Sequence, residues 1–392
     1  MRESVIVSAV RTPVGSYLGS LSALSAPQLG AIVIKEALKR AGVKPEQVDE
    51  VIMGCVLSGG LGQAPARQAG IYAGLPWTVG ATTINKVCGS GLKAVMLADA
   101  MIKVGDAEII VAGGMESMSN APFALPRVRQ GWRMGNQTAI DLMINDGLWD
   151  IYRNCHMGEC ADLLGKEWNI TREEQDAFAI RSYKRALQAM AEGRFKEEIV
   201  PVEVPQKKGE PIIVDEDEEP KRLKEDKVPT LKPAFTKDGT VTAANASSLN
   251  DGAACVVVMS REKAEEMGIK PLVRIIGHDQ AAKESHWFTI APVDAIRKVL
   301  KKTGYSLDKI DLIELNEAFS VQVIAAEREL GLDMNKVNIK GGAVAIGHPI
   351  GCSGARILVT LIYAMKEQNA KTGLACLCIG GGEAVAMIVE AL

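Results

Sequence analysis

The chain is 392 residues long, 47% apolar and 24% charged, which suits two or three folded domains with cores of their own and excludes a disordered or collagen-like chain. Its 45 basic and 48 acidic residues leave a net charge of −3, so it carries no electrostatic footprint for nucleic acid or an anionic membrane surface. No apolar run approaches the ~18 residues of a membrane span.

From the N-terminus, charged Arg2 and Glu3 precede the apolar run 4–10, which predicts a first strand rather than a signal or transit peptide. A helix is predicted over 28–41, strands over 50–54 and 81–85, a helix over 90–104 and a strand over 107–112. Residues 119–249 are richer in charge, Trp and Pro. They hold a long polar helix opened by the capping box Thr171-Arg172-Glu173-Glu174 and running to about Glu192. The apolar run 253–259 follows. Then come predicted strands over 272–278, 310–315 and 336–340, a helix over 352–368, and a hairpin over 374–379 and 384–390. The final Glu390-Ala391-Leu392 carries no lipidation or peroxisomal signal, and a cytoplasmic location is expected.

The chain repeats itself. Segments 38–52 and 300–314 are each a basic helix end, a Gly stop, an acidic turn and a run into an apolar strand. Their glycines, Gly42 and Gly304, are 262 positions apart, and the Ser90-Gly91 and Ser353-Gly354 helix starts are 263 apart. Two matches at nearly one offset predict a duplicated α/β unit, two mixed sheets with helices in layers. The strand 107–112 finds its antiparallel return only at 253–259, so 119–249 is an insertion between two strands of one hairpin. The expected division is 1–118 with 250–270, a loop domain over 119–249, and 271–392.

Eight cysteines in 392 residues are too sparse for a disulfide framework and are read as thiols, most of them small buried apolar residues. Cys88 lies in Asn85-Lys86-Val87-Cys88-Gly89-Ser90-Gly91, between a strand end and a helix. A thiol there feels the positive end of the helix dipole, which favours the thiolate; a small core residue at a tight turn is the plain alternative. His348, in the Gly-rich stretch 341–354, stands by the 263 offset where Asn85 stands in the first copy. If the copies pack about a pseudo-twofold axis, the two helix starts converge on one cleft, and a His beside a Cys activates the thiol. A capping or structural His is the alternative, and His278 and His286 read as structural. Cys378 ends a strand before Gly380-Gly381-Gly382, whose N–H groups suit an oxyanion hole; otherwise it is a strand thiol like Cys376. Asn316 follows a strand, either as a cap for the next helix or as a holder of water in a cleft.

Other patterns are weak. Gly60-Leu61-Gly62-Gln63-Ala64-Pro65 has Pro where a dinucleotide fingerprint needs its last Gly or Ala. The spacing of Cys155, His156 and Cys160 fits no common zinc site and shows no fourth ligand, so no metal is assigned. The runs 215–219 and Lys221, Arg222, Lys224 read as a solvated loop.

The motifs Asn85 through Gly91, Asn316-Glu317-Ala318-Phe319, Gly341 through Gly354 with Gly347-His348-Pro349, and Cys378 through Gly382 together resemble, in order, the four motifs of the thiolases. The likeness spans essentially the whole chain, and His156-Met157-Gly158 looks like the short-chain branch. The resemblance implies a thiolase-like fold and acetyl-CoA C-acetyltransferase chemistry on acetyl-CoA and acetoacetyl-CoA, with CoA thioesters as substrates and no permanently bound cofactor. It implies that Cys88 carries the acetyl group and Cys378 moves protons. One oxyanion hole would use His348 and a water on Asn316, the other the N–H groups of Cys88 and Gly380. His156, Met157, Ala246, Ser247, Ala318, Phe319 and Arg222 would contact substrate or CoA. It further implies a homotetramer, a dimer of dimers, joined through a projection including Gly131-Trp132-Arg133-Met134-Gly135. This chain departs from the family at 284–292, where many members have Met-Gly-x-Gly-Pro, and at Ala244 and Ser248, where Gly is usual. A broader-chain 3-ketoacyl-CoA thiolase and a non-catalytic acyl-CoA-binding scaffold are the alternatives, and keeping both cysteines argues against the scaffold.

Overall fold

Strand β1 (Ser4–Arg11) sends Val5, Val7 and Val10 into one core and Ile6 and Ala9 into another, so its sheet is covered on both faces. The odd step from Val7 to Val10 reflects a bulge between Ile6 and Ser8, which shifts the alternation by one. The structure, a computed structural model, describes residues 2–392. The first half continues through α1 (Ala26–Ala41), β2 (Glu50–Gly54), α2 (Pro65–Tyr72), β3 (Gly80–Ile84), α3 (Ser90–Val104) and β4 (Ile109–Ser117). An excursion carrying α4 (Met157–Glu167) and α5 (Arg172–Ala191) leads back to β5 (Asn250–Ser260). The second half is β6 (Val273–Ala282), α6 (Ala291–Thr303), β7 (Leu312–Leu315), α7 (Ser320–Leu330), α8 (Ile350–Gln368), β8 (Thr372–Ile379) and β9 (Glu383–Ala391).

The pairing repeats as the sequence does. In the first half β2 runs parallel to β3 and β4, β4 antiparallel to β5, and β5 antiparallel to β1. In the second, β7 runs parallel to β8, β8 antiparallel to β9, and β9 antiparallel to β6. Even the bulge recurs, between Ile275 and Gly277 of β6. Where the sequence predicts two sheets, the halves join edge to edge into one continuous mixed sheet, because β1 pairs with β6 at Val5–Arg274 and Ile6–Val273. The predicted strand over 336–340 is not formed. Its place beside β7 is held by one bridge, Ile313 to Val337. Asn338 adopts a left-handed φ of 48°, which stops a strand. Its carboxamide takes over the ladder, accepting from Leu315 N at 2.9 Å and donating to Leu315 O at 2.8 Å.

Helices α1 and α2 cover the outer face of the first half, and α6 and α7 that of the second. Between the two halves of the sheet lie α3 and α8, whose apolar residues share one core with both. They touch through the repeat-related glycines. A Cβ on Gly91 would stand 2.6 Å from Ala355 N, and one on Gly354 would overlap Leu92. Only glycine permits that approach, and it brings the N-termini of both central helices to one place. The excursion leaves β4 and enters β5 beside Ser117 and Asp251, a paired couple. Its α5 is capped by Thr171, which accepts from Glu174 N at 3.2 Å, and its α4 adds Met157, Cys160, Ala161 and Leu164 to the outer core of the second half. Among the described residues no helix is long and apolar enough to cross a membrane.

Candidate active site

Cys88 sits in a clamped turn between β3 and α3. Val87 adopts a left-handed φ of 45°, a strained state for a β-branched residue. Asn85 Oδ1 accepts from Val87 N at 2.9 Å, and Ser90 Oγ accepts from Lys86 N at 2.8 Å while donating to Val87 O at 2.7 Å. The backbone N–H groups of Gly380 and of Cys88 itself lie near enough to the sulfur to favour its charged form. The thiolate expected from the helix dipole is not the resting state. Burial pushes the thiol up to about 11, against the help of those two N–H groups, because loss of hydration outweighs a partial charge at a helix end.

His348 is fixed in the turn before α8. Its N–H donates to Asn250 Oδ1 at 2.8 Å. Gly347, at φ 110°, has no room for a Cβ beside the Asn250 carboxamide. Its Nδ1 lies 2.6 Å from Ser353 Oγ, which also lies 3.0 Å from Pro349 O. The one hydroxyl proton serves either neighbour. With that proton turned to Pro349 O, Ser353 Oγ accepts a hydrogen bond from Nδ1–H and Nε2 is a base. With it turned to Nδ1, Ser353 Oγ donates and Nε2 carries the ring proton as a donor. Burial, reinforced by Arg356, lowers the His348 pKa to about 3, so the ring is neutral at neutral pH.

Cys378 ends β8, fully buried, with Sγ 3.5 Å from Gln322 Oε1. Burial first, and then the nearby Cys88, raise its thiol well above the usual range. The following turn needs glycine at Gly381 and Gly382, with φ of 90° and 95°. Asn316 does not cap α7, whose cap position is Phe319; its N–H instead donates to Cys376 O at 2.9 Å. Among the described residues His348 Nε2, Gln322 Nε2 and both polar atoms of Asn316 have no hydrogen-bond partner. Buried polar groups left in that state mark room for water or substrate.

Cys88, His348 and Gly380 open onto one largely apolar cavity of about 400 Å³. His156, Met157, Ala246, Ser247, Ala318 and Phe319 also line it. His156 caps α4, with Nδ1 accepting from Gly158 N at 3.0 Å, and its ring stacks on Phe235 at 4.6 Å. Phe319 stands edge-on to Phe235 and Phe288, at 6.2 and 6.3 Å. Met157 Sδ comes within 3.4 Å of where a Cβ on Gly380 would be. Cys378 and Asn316 are not among the lining residues. Arg222 does not line it either, and pairs with Glu218 and Glu219 at 3.6 and 3.4 Å.

Sequence reasoning missed Phe235 and Phe288, which complete the aromatic wall, and Ser353, Asn250 and Gln322, which hold site side chains. It also missed Glu116. This buried carboxyl accepts from Val56, Leu57 and Gly351 N–H at 3.1, 3.1 and 2.8 Å. It thereby ties the end of β2 to the first turn of α8, and burial pushes it up to about 7. The departure at 284–292 supplies Phe288 to the wall, while Trp287 packs instead on Trp168 at 5.4 Å.

The chain matches two family models, "Thiolase, N-terminal domain" over residues 4–262 and "Thiolase, C-terminal domain" over 269–391. An acetyl-CoA acetyltransferase of Cupriavidus necator is 56% identical over 391 residues, 100% of both chains. A crystal structure of the Bacillus anthracis acetyl-CoA acetyltransferase superposes with a TM-score of 0.98 at 44% identity, covering 100% of this chain and 99% of that one. The Acat5 thiolase from Ascaris suum, solved in complex with coenzyme A, gives a TM-score of 0.95 at 46% identity and 100% coverage of both chains.

Proposed function

The chain belongs to the thiolase family, and from that premise we propose that it is an acetyl-CoA acetyltransferase, joining two molecules of acetyl-CoA into acetoacetyl-CoA and CoA and running the same reaction in reverse. The observation that carries this reading is the meeting, at one short apolar cavity, of the Cys88 thiol, the N–H groups of Cys88 and Gly380 beside it and a neutral His348.

His348 Nε2 takes the Cys88 proton as the sulfur attacks the acetyl carbonyl carbon, so the high thiol pKa is met by transfer to a poised base rather than by a standing thiolate. The carbonyl oxygen gains charge between the N–H groups of Cys88 and Gly380. The C–S bond to CoA breaks, the leaving sulfur takes the Cys378 proton, and acetyl-Cys88 remains beside a Cys378 thiolate and a protonated His348. The thiolate takes a methyl proton from a second acetyl-CoA. The enolate oxygen is met by His348 Nε2–H and a water on Asn316, the carbanion attacks acetyl-Cys88, and its C–S bond breaks as the Cys88 sulfur takes its proton back from His348. The second thiol thus becomes a base only as the first is loaded, and the burial that raises it well above the usual range makes its thiolate strong enough to take a carbon-bound proton.

The same proposal assigns the chemistry to the halves 1–118 with 250–270 and 271–392, and the grip on the CoA arm to the loop domain 119–249. It includes a cytoplasmic location and a tetramer joined through the projection of the loop domain that includes Gly131-Trp132-Arg133-Met134-Gly135. Trp132 and Met134 of that projection, with Phe123, Leu125 and Val128 just before it in the chain, are exposed to solvent, an apolar surface that assembly would cover. The test is product analysis after incubation with acetyl-CoA and, separately, with acetoacetyl-CoA plus CoA. Acetoacetyl-CoA and acetyl-CoA respectively are expected, and their absence refutes the reading.

A further inference from the structure

We propose that Asp150, Cys155 and Cys160 form a binding site for a thiophilic divalent cation of the zinc class, separate from the acyl-transfer centre. The spacing of the two cysteines fits no common zinc site because the third ligand lies across a ribbon. Trp149–Asp150 pairs antiparallel with Cys155–His156, placing Asp150 opposite Cys155. Cys160 then arrives from the first turns of α4.

The geometry is that of a tetrahedral site. The two sulfurs are 3.7 Å apart. Two corners of a tetrahedron at the usual metal–sulfur length of ~2.3 Å are ~3.8 Å apart. Asp150 Oδ2 lies 4.0 Å from Cys160 Sγ, and the three ligand atoms all fall within 4.8 Å of one another. The carboxylate is aimed by its other oxygen. Oδ1 accepts from Tyr152 N at 2.9 Å and Arg153 N at 3.2 Å, which leaves Oδ2 turned toward the thiols. Outer hydrogen bonds that orient a ligand in this way are a feature of built metal sites.

Access and charge fit as well. Asp150 and Cys160 are both 2% exposed, while Cys155 is half-buried. Both cysteines border an open groove of about 800 Å³, which provides an entry path and a water for the fourth corner. On binding, both S–H bonds give their protons to solvent as two metal–sulfur bonds form, with no change of oxidation state. Two thiolates and a carboxylate leave the bound site one negative charge in excess, facing Arg153 on the groove wall. The ion would tie together the residues flanking His156 and Met157, and so stiffen one wall of the acyl cavity.

The test is titration of the full chain, reduced and stripped of metal by a chelator, with Co²⁺, followed by thiolate-to-cobalt charge-transfer absorption and displacement by Zn²⁺. One equivalent is expected to bind both the unaltered chain and Cys88→Ala. The band should vanish in Cys155→Ser and Cys160→Ser, and affinity should fall at least tenfold in Asp150→Asn. Added Zn²⁺ should raise the thermal midpoint of the unaltered chain but not of Cys155→Ser, a half-buried change that keeps the comparison valid if Cys160→Ser does not fold. The proposal is overturned by no band at one equivalent, by a band that survives in Cys155→Ser, or by a band lost in Cys88→Ala, which would put the metal on the catalytic thiol.

Discussion

Ser353 Oγ lies 2.6 Å from His348 Nδ1 and 3.0 Å from Pro349 O, so one hydroxyl rotation lets it bond the imidazole whether the ring presents a lone pair or a proton to the cavity. The proposed reaction needs both, the lone pair for the Cys88 proton and the Nε2–H for the enolate oxygen. Ser353→Ala strands a buried Nδ1. Leaving such a group unpaired costs about 1–3 kcal/mol, and kcat for thiolysis of acetoacetyl-CoA is expected to fall ~10- to 100-fold with KM nearly unchanged. A raised KM at unchanged kcat would assign Ser353 to substrate binding instead.

The two thiols are expected to divide the work. Cys88→Ala should form no covalent acetyl-enzyme on mixing with acetyl-CoA. Cys378→Ala should still acetylate slowly at Cys88 but neither condense nor cleave. Intact-mass measurement reads both, and a persistent added acetyl group in the Cys88 variant contradicts the assignment.

Much of this architecture is legible in the sequence because it is written locally. The Gly91 and Gly354 helix starts, the Gly stops after α1 and α6, and the motifs around Cys88, His348 and Gly380 are short runs whose spacing alone marks them. What is illegible depends on partners far along the chain. Phe235, Phe288 and Phe319 form one wall from three segments, and nothing in any one of them names the others. Asn338 reads as part of a strand until its carboxamide is seen bonding β7. The protonation of Cys88 follows a contest between a helix end, visible in sequence, and desolvation by residues from distant segments such as Leu57, Met143 and Ile350, which is not.

Glu116 gives the fold a pH dependence with a definite sign. Its folded pKa is about 7 against an ordinary 4.5, with burial the main cause. Between those values the unfolded chain has released a proton that the folded chain still holds, so stability is full below pH 4.5 and is lost as pH rises through 7. The loss from this one group is on the order of 3 kcal/mol. Urea unfolding of the unaltered chain and of Glu116→Gln at pH 5 and pH 8 checks it. The Gln variant starts less stable, because its amide N–H₂ meets backbone donors, but its decline over that interval should be smaller by about that amount. Equal declines in both proteins rule Glu116 out as the source.

Asn316 separates catalysis from stability. It is 1% exposed, and among the described residues both atoms of its carboxamide lack partners. Removing it therefore costs the fold no side-chain hydrogen bond, while the reaction loses the holder of a water donor. Asn316→Ala is expected to slow condensation and thiolysis by ~10²–10³-fold without lowering the thermal midpoint. Single-turnover acetylation of Cys88, which relies on the other pair of donors, should be far less affected. A variant that loses stability and acetylation together would mark Asn316 as structural.

Under the proposed function, chain length is expected to be limited where Met157 Sδ comes within 3.4 Å of the position of a Cβ on Gly380, with Phe319 wedged between Phe235 and Phe288 behind it. An acyl chain growing from Cys88 meets a flexible thioether first and rigid rings next. Forcing extra methylenes into such packing costs ~1–3 kcal/mol, where an open pocket would instead gain ~0.8 kcal/mol for each one buried. Acetoacetyl-CoA should thus be the best thiolysis substrate, with kcat/KM dropping sharply for 3-ketohexanoyl-CoA and further for 3-ketooctanoyl-CoA. Met157→Ala removes the yielding part of the wall and leaves the rings. It should raise kcat/KM for the six-carbon substrate relative to acetoacetyl-CoA by about tenfold, the worth of two methylenes, and help the eight-carbon substrate less. Values that stay level or rise along the series in the unaltered chain would show that this wall is not the limit and favour a broader 3-ketoacyl-CoA thiolase.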